Sequence, residues 1–452
     1  YYLKITCPAF AVLKLKIMKI GIDASRANRQ YKSGTEWYSY HLIKELAKID
    51  SKNQYILYTD KPLIDGLSNL TSSQEELKEA KHDFIKGEEN ADWQKIISPH
   101  NNFRCKIIKQ YLPFFWTQLN LSLEMLFHPP DVLFIPAHTL PIIHPRKSVV
   151  TIHDIGFIYN QQLYSHKRIE SVSPAYVRLL NLLIKIITLG KYGSNVFDYH
   201  LWSTKFTLKH AKKIITVSKF SKKEIERTYP TDQNKIQVIY NGYDDKLYQP
   251  ITKKFSPQLA TNSINQILNK YDIKQPYIFY VGRLEKKKNI STLVEAYAIM
   301  REKYKNIKHK LVLVGSASHG FDEINYIIQE FNLNNEVILT GWMPEEDMPF
   351  IYYGATAFVF PSCYEGFGIP LLQAMACGTP IAASNISAIS EIVEDSVLLF
   401  DPLDKKNMAE AIAKIIIDND LQKGLIAKGQ RRINYFSQKK NVQETLALLE
   451  NL

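Results

Sequence analysis

The sequence predicts an α/β protein of two doubly wound domains facing across a cleft. Three observations predict it. Short β-branched runs alternate with longer helical patterns along most of the chain, as in parallel sheets built from βαβ units. The alternation breaks once, near the middle, at a stretch of linker composition, and then restarts. At 452 residues the chain is also too long for one ordinary core.

In chain order, residues 1–17 read as an upstream extension outside the fold, because Met18-Lys-Ile-Gly-Ile-Asp opens the first clean strand pattern. A signal peptide fits less well, since Lys14 and Lys16 lie on the wrong side of a short apolar segment. The first domain is expected over 18–245. Its strands are expected at Lys19–Asp23, Tyr55–Thr59, Cys105–Lys109, Val132–Pro136, Val149–His153, Ile214–Val217 and Gln237–Tyr240. Most are continuous apolar runs, as strands covered on both faces require. After the first strand, Ser33-Gly-Thr-Glu-Trp37 opens a helix whose Leu42, Leu46 and Ile49 share one buried face. Residues 171–205 fit neither pattern. This aromatic and basic insertion reads either as an amphipathic helix meeting a membrane interface or as a surface helix packed on its own domain.

Residues 241–275 carry Asn-Gly, Tyr-Gln-Pro and a Ser/Asn/Gln-rich run, and 246–275 are assigned as linker. The second domain is expected over 276–430. Its strands are expected at Tyr277–Val281, Leu311–Val314, Val337–Thr340, Ala357–Phe360, Pro380–Ala383 and Val397–Phe400. The segment 431–452 is helical in pattern and is placed to cross back to the first domain.

Composition narrows the function. Lys and Arg number 57 against 45 Asp and Glu, a net charge of +12 that suits an anionic partner. The basic residues are scattered and no nucleic-acid module appears, so a nucleic-acid partner is not expected. The four cysteines, Cys7, Cys105, Cys363 and Cys377, lack paired spacing. That points away from zinc and disulfides, towards a cytoplasmic setting. The longest apolar stretch, Leu179 to Leu189, is broken by Lys185 and too short to span a bilayer.

The strongest chemical signal runs from Phe360-Pro-Ser-Cys-Tyr-Glu-Gly-Phe-Gly-Ile-Pro to Ala376-Cys-Gly-Thr-Pro380. A buried strand ends, a glycine-bearing loop follows, and Pro370 stands where a helix begins. The loop's N–H groups and the helix N-terminus attract an anion such as a diphosphate, which Gly366 and Gly368 let come close. Glu365 lies at the strand's C-terminal edge, where such sheets bind ligands. A carboxylate beside phosphate is costly, so Glu365 is expected to meet sugar hydroxyls instead. The second signal, Tyr277-Ile-Phe-Tyr-Val-Gly-Arg-Leu-Glu-Lys-Lys-Lys-Asn, feeds a helix over Ser291–Tyr304. After Gly282, Arg283 and Lys288 can converge on one phosphate. The competing reading is a solvated lysine run.

In these motifs, with Ser390-Glu-Ile-Val, the chain resembles glycosyltransferase family 4, whose members adopt the GT-B fold of two Rossmann-like domains and retain anomeric configuration. The resemblance spans nearly everything from Met18 onward. The segments Gly21-Ile-Asp-Ala, Trp116-Thr-Gln, Phe134-Ile-Pro-Ala-His and Thr151-Ile-His-Asp look like the bacterial polysaccharide mannosyltransferase branch. The resemblance implies a retaining hexosyltransferase with a nucleotide-sugar donor, GDP-mannose favoured over UDP-hexoses, and a glycan or lipid-linked acceptor.

It carries the donor contacts onto Gly34, Gly282, Arg283, Lys288, Gly366, Phe367, Gly368, Ile369 and Gln373. It places His153, Glu365, Arg283 and Lys288 at the reaction centre. Gln373 departs from the family's second glutamate, which contacts the nucleotide ribose, but an amide still accepts and donates. Glu36 stands where relatives often carry a second glycine, and is read as an acceptor contact. His153 and Asp154 follow the strand Val149–Ile152. The bland reading makes the first a satisfied histidine and the second a turn cap. Trp342 and Met343 follow a strand and are candidates for the base. Asp418-Asn-Asp420 has metal-like spacing but ends a helical pattern, so a cap is expected there and no metal requirement. Two rival functions, a nucleotide-sugar epimerase and a sugar-nucleotide-binding protein without turnover, share these features.

Overall fold

The structure, a computed structural model, describes residues 17–70, 102–108, 116–159, 196–253 and 256–452. The readings made for 1–16 and 171–195 lie outside the described residues.

The N-terminal lobe is a seven-stranded, wholly parallel sheet in the order β3-β2-β1-β4-β5-β6-β7. Its strands are β1 Lys19–Asp23, β2 Gln54–Thr59, β3 Phe103–Ile107, β4 Val132–Ile135, β5 Ser148–Ile152, β6 Lys213–Thr216 and β7 Ile236–Val238. β4 and β5 are buried along their whole length, which is why they read as unbroken apolar runs. The helices are α1 Gly34–Ile49, α2 Ser122–Phe127, α3 Gly156–Tyr159, α4 Val196–His210 and α5 Lys219–Thr228. A π-helical turn at Trp116–Leu121 leads into α2. Leu42, Ile43 and Leu46 of α1 fill one face of the sheet, while Ile49 is half-buried at its rim.

The C-terminal lobe is a six-stranded parallel sheet in the order β10-β9-β8-β11-β12-β13. Its strands are β8 Tyr277–Val281, β9 Lys310–Val314, β10 Val337–Gly341, β11 Ala357–Phe360, β12 Ile381–Ser384 and β13 Leu398–Phe400. Nine helices are described from Pro257 onward: α6 Pro257–Lys270, α7 Ile290–Lys303, α8 Phe321–Glu330, α9 Met348–Gly354, α10 Ile369–Cys377, α11 Ser387–Val393, α12 Lys405–Ile417, α13 Asn419–Arg432 and α14 Gln438–Glu450. The core under the cleft is aromatic. Phe279 meets Tyr352 and Phe358 at ring-centroid distances of 4.9 and 5.0 Å. Both sheets reverse strand order beside their first strand, and a doubly wound sheet opens its ligand crevice at that switch point.

The segment read as linker is not linker throughout. Residues 257–270 form α6, with Pro257 in its first turn. Its Ser/Asn/Gln-rich composition conceals one stripe, Ile264, Ile267 and Leu268, spaced three and four apart. Helix α6 lays that stripe on α9 and the C-terminal core. The last helix packs on the N-terminal lobe: Val442, Leu448 and Leu449 of α14 share the core that holds Leu42 and Leu46. The chain thus crosses between lobes twice. Within 196–205, the described part of the insertion, α4 packs its Phe197 and Leu201 against its own lobe's core. Among the described residues no helix is long and apolar enough to cross a membrane.

Candidate functional site

A hollow of about 550 Å³ lies between the lobes, at the C-terminal ends of both sheets. The loops that follow β8 and β11, the two strands flanking the switch point, form its C-terminal wall.

After β8 come Gly282 and Arg283, then a 3-10 turn at Lys286–Lys288. A 3-10 turn spaces successive side chains by a third of a revolution, so the three lysines diverge. Lys286 points out to Glu323 at 3.7 Å, Lys287 faces the hollow with Glu285 at 3.5 Å, and Lys288 pairs with Glu365. Glu365 also accepts from the Ser362 hydroxyl at 2.7 Å, which fixes the carboxylate from a second direction. Arg283 reaches across the cleft and donates to Ser33 Oγ at 3.4 Å. Arg283 and Lys288 therefore sit around a common hollow, each holding a protein partner.

After β11 the loop runs to Gly368, whose φ of +97° ends it as the N-cap of α10, with Ile369 and Pro370 opening the helix. Gly366 is set by space. A Cβ there would stand 2.3 Å from the His153 carbonyl oxygen, so the two lobes touch backbone to backbone. One turn into α10, Gln373 accepts from the Tyr352 hydroxyl at 3.1 Å, joining the site to the aromatic core.

The N-terminal wall is built from side chains. At Gly34, an added Cβ would meet nothing within 4 Å, so the start of α1 is open to the cleft. Glu36, read from the sequence as an acceptor contact, lines the hollow and closes a capping box. It accepts from Ser33 N–H at 3.2 Å and from the Ser33 hydroxyl, and pairs with Arg26 at 3.3 Å. Burial pushes its carboxyl up, but the Ser33 bond and the Arg26 and Arg283 charges outweigh that and hold it below the usual range.

His153 donates from Nε2 to the Pro136 carbonyl at 3.1 Å, since a carbonyl only accepts; in the neutral ring Nδ1 is then the acceptor. Burial pushes His153 down, against the opposing Pro136 bond and the Asp154 and Glu36 charges. At neutral pH it offers a hydrogen bond and no net charge. Its ring stands edge-on to Tyr38 at 4.7 Å, and its N–H donates to His138 Nδ1 at 3.4 Å. Burial, then the neighbouring His153 and His200, pushes His138 down to about 3. Asp154 accepts from Gly156 N–H at 3.0 Å, as a turn cap does, yet it also faces the cleft. Burial raises its carboxyl, and the opposing charge of Lys287 with the Gly156 bond turns the balance downward.

Every candidate carried over from the sequence lines this one hollow: Gly34, His153, Gly282, Arg283, Lys288, Glu365, Gly366, Phe367, Gly368, Ile369 and Gln373. Trp342 and Met343 line it too, with Trp342 edge-on to Tyr31 of the other lobe at 5.3 Å. Asp418 is occupied as a cap, accepting from Leu421 N–H at 2.9 Å between α12 and α13. Sequence reasoning missed Arg26 and Lys287, and held His138 only as the last letter of Phe134-Ile-Pro-Ala-His. The 3-10 turn could have revealed Lys287, because three consecutive lysines on such a turn cannot all face solvent. Nothing short of the fold marks Arg26.

Comparison with known proteins matches residues 33–247 to the model described as Glycosyltransferase Family 4, and residues 263–432 to that for glycosyl transferases group 1. The chain is 29% identical over 320 residues to O-antigen chain mannosyltransferase B of Escherichia coli, covering 70% of this chain and 79% of that one. It is 25% identical over 312 residues to O-antigen chain mannosyltransferase RfbU of Salmonella typhimurium, covering 69% and 72%. Among solved structures, WaaG, a glycosyltransferase involved in lipopolysaccharide biosynthesis, superposes with a TM-score of 0.65 at 13% identity, covering 96% of this chain and 99% of its own. HepE of Anabaena, solved in complex with UDP and glucose, superposes at 0.64 with 18% identity, covering 96% and 100%. At these identities the two structures speak for the fold.

Proposed function

The chain belongs to glycosyltransferase family 4 and is a hexosyltransferase, and from that premise we propose that it moves mannose from GDP-mannose to a glycan or lipid-linked acceptor in cell-surface polysaccharide synthesis. One observation carries the reading. Arg283, Lys288, Glu365 and the turn Gly366–Gly368 surround one hollow at the switch point of the C-terminal sheet. Support for mannose and for polysaccharide comes from the two O-antigen mannosyltransferases, each matched over more than two thirds of its length.

In the proposed mechanism the donor lies on the C-terminal lobe and the acceptor enters from the N-terminal one. Arg283, Lys288 and the N–H groups of the glycine turn stabilise charge growing on the departing diphosphate. Such preorganised groups are worth several kcal/mol in a water-poor site. Because two cations already serve the leaving group, the proposal needs no metal, and turnover should persist in a chelator. Glu365, steadied by Lys288 and Ser362, faces the sugar hydroxyls, and neutral His153 contributes a hydrogen bond from the opposite wall. Attack comes from the face the leaving group departs, with retention and no covalent enzyme intermediate. Lobe contact at Gly366 keeps water from hydrolysing the donor.

A thermal-shift screen against GDP- and UDP-sugars tests the donor. GDP-mannose should raise the melting temperature selectively. A shift with UDP-hexoses alone would overturn the donor assignment, and epimer formation without acceptor would overturn the transfer reaction.

A further inference from the structure

We infer that Glu391 is a positioning residue for this reaction, the point on the C-terminal lobe from which α5 of the N-terminal lobe is aligned with the donor loop; the inference rests on the transferase reading above. Glu391 lies on α11, far along the chain from α5, yet its carboxylate caps that helix across the lobe boundary. Oε1 accepts from Lys219 N–H at 2.8 Å and from the Tyr240 hydroxyl at 2.9 Å, and Oε2 accepts from Phe220 N–H at 2.8 Å. First-turn N–H groups have no partner within their own helix, so a carboxylate there is favoured by hydrogen bonds and by the helix dipole. The third N–H, that of Ser221, goes to Ser218 Oγ at 3.0 Å.

Fixing that first turn fixes the Ser221 hydroxyl. It is fully buried, 3.1 Å from the His153 carbonyl oxygen and 3.4 Å from that of Gly366. One hydroxyl thus touches both lobes where the two walls of the site meet. The other end of the linkage sits at the hinge. Tyr240 follows the last strand of the first sheet, and its carbonyl accepts from Asn441 Nδ2 of α14 at 2.7 Å. Two residues on, Gly242 packs so closely on the returning chain that a Cβ would stand 2.2 Å from Gln438 N. Glu391 therefore grips the chain where both crossings pass. Arg432 braces it from behind, donating to the carbonyls of Ile392 at 2.8 Å and Glu391 at 2.9 Å.

None of these contacts involves Arg283, Lys288 or the glycine turn's N–H groups. Losing the Glu391 carboxylate should change how much of the time the lobes are aligned, and leave the donor's grip alone. Glu391→Gln replaces one accepting oxygen with an amide nitrogen that only donates. We expect the saturated rate of mannosyl transfer from GDP-mannose to a simple mannoside acceptor to fall about tenfold, with donor KM held within about twofold. Ser221→Ala should fall comparably, and the double variant no further than the worse single, because both act through one linkage. Tyr240→Phe removes one of three donors and should give a smaller loss.

Amide hydrogen exchange across 219–222, read without nucleotide, should quicken in Glu391→Gln. Faster exchange with unchanged turnover would reduce Glu391 to a structural cap and overturn the proposal. So would a rise in KM at constant turnover, or additive losses in the double variant. Wild-type protein that is not stabilised by GDP-mannose refutes the donor assignment alone, and the same series is then read with the sugar nucleotide that the thermal screen selects.

Discussion

On the C-terminal side of the cleft the chain offers glycines, main-chain N–H groups and the cations Arg283 and Lys288. On the N-terminal side it offers the imidazole of His153, the phenol of Tyr38, the carboxylate of Asp154, the ion pair of Arg26 with Glu36 and the ammonium of Lys32. Both walls stand on the C-terminal edges of parallel sheets with the same switch-point layout. The first wall is suited to an anion, whose charge needs fixed opposite charge and close backbone approach. The second keeps the His153 imidazole neutral by burial, and so can hydrogen-bond a neutral sugar there without adding charge. On the proposed function, similar scaffolds serve a leaving group on one side and an acceptor on the other.

The largest effect should come from the anion side. Arg283→Ala or Lys288→Ala should lower kcat/KM for GDP-mannose by roughly a hundredfold or more, with little change in melting temperature. Near-normal turnover in both would erase the contrast between the walls. Next, Gly366→Ala forces a methyl against the His153 carbonyl oxygen, 2.3 Å from where the Cβ must stand. The lobes must separate there, and we expect roughly a tenfold loss of turnover, checked by steady-state assay.

Much of the anion side was legible in the sequence because its chemistry depends on local order. A strand, then Gly282-Arg283, or a strand, then Gly366-Phe367-Gly368-Ile369-Pro370, announces the turn and its place on the hollow. The strands were legible for a similar reason, since burial on both faces leaves unbroken apolar runs such as Val132–Ile135. The other wall was legible only in pieces. Gly34, Glu36, His153 and Asp154 were named singly, and their meeting with Arg26 and His138, from three separate strand ends and the start of α1, is a product of sheet order. Glu391 was visible only as one letter of Ser390-Glu-Ile-Val, because its partners Lys219 and Phe220 lie on the other lobe. Helix α6 was hidden by its polar composition, which masks the short apolar stripe Ile264, Ile267 and Leu268.

Smaller effects sharpen the N-terminal side. His138 has its folded pKa depressed to about 3 from 6.5, so below pH 6.5 the unfolded chain binds the extra proton and the folded one does not. Its share of stability is complete above pH 6.5 and is lost as the pH falls towards 3. Between pH 7 and 5 this should amount to about 1–2 kcal/mol. Denaturant unfolding at both values should show a flatter dependence in His138→Asn, which retains an acceptor for the His153 N–H. The smallest effect is expected from Glu36→Ala, which opens the capping box of α1 and should cost about 1 kcal/mol of stability. An additional large loss of acceptor-dependent turnover would restore Glu36 as an acceptor contact.

The most direct test is a crystal structure with the nucleoside diphosphate that the thermal screen selects. The account predicts its β-phosphate oxygens within about 3 Å of the Arg283 guanidinium, Lys288 Nζ and the N–H groups of Gly366–Gly368. A nucleotide bound with its diphosphate on the N-terminal wall, or turned out of the hollow, would contradict it.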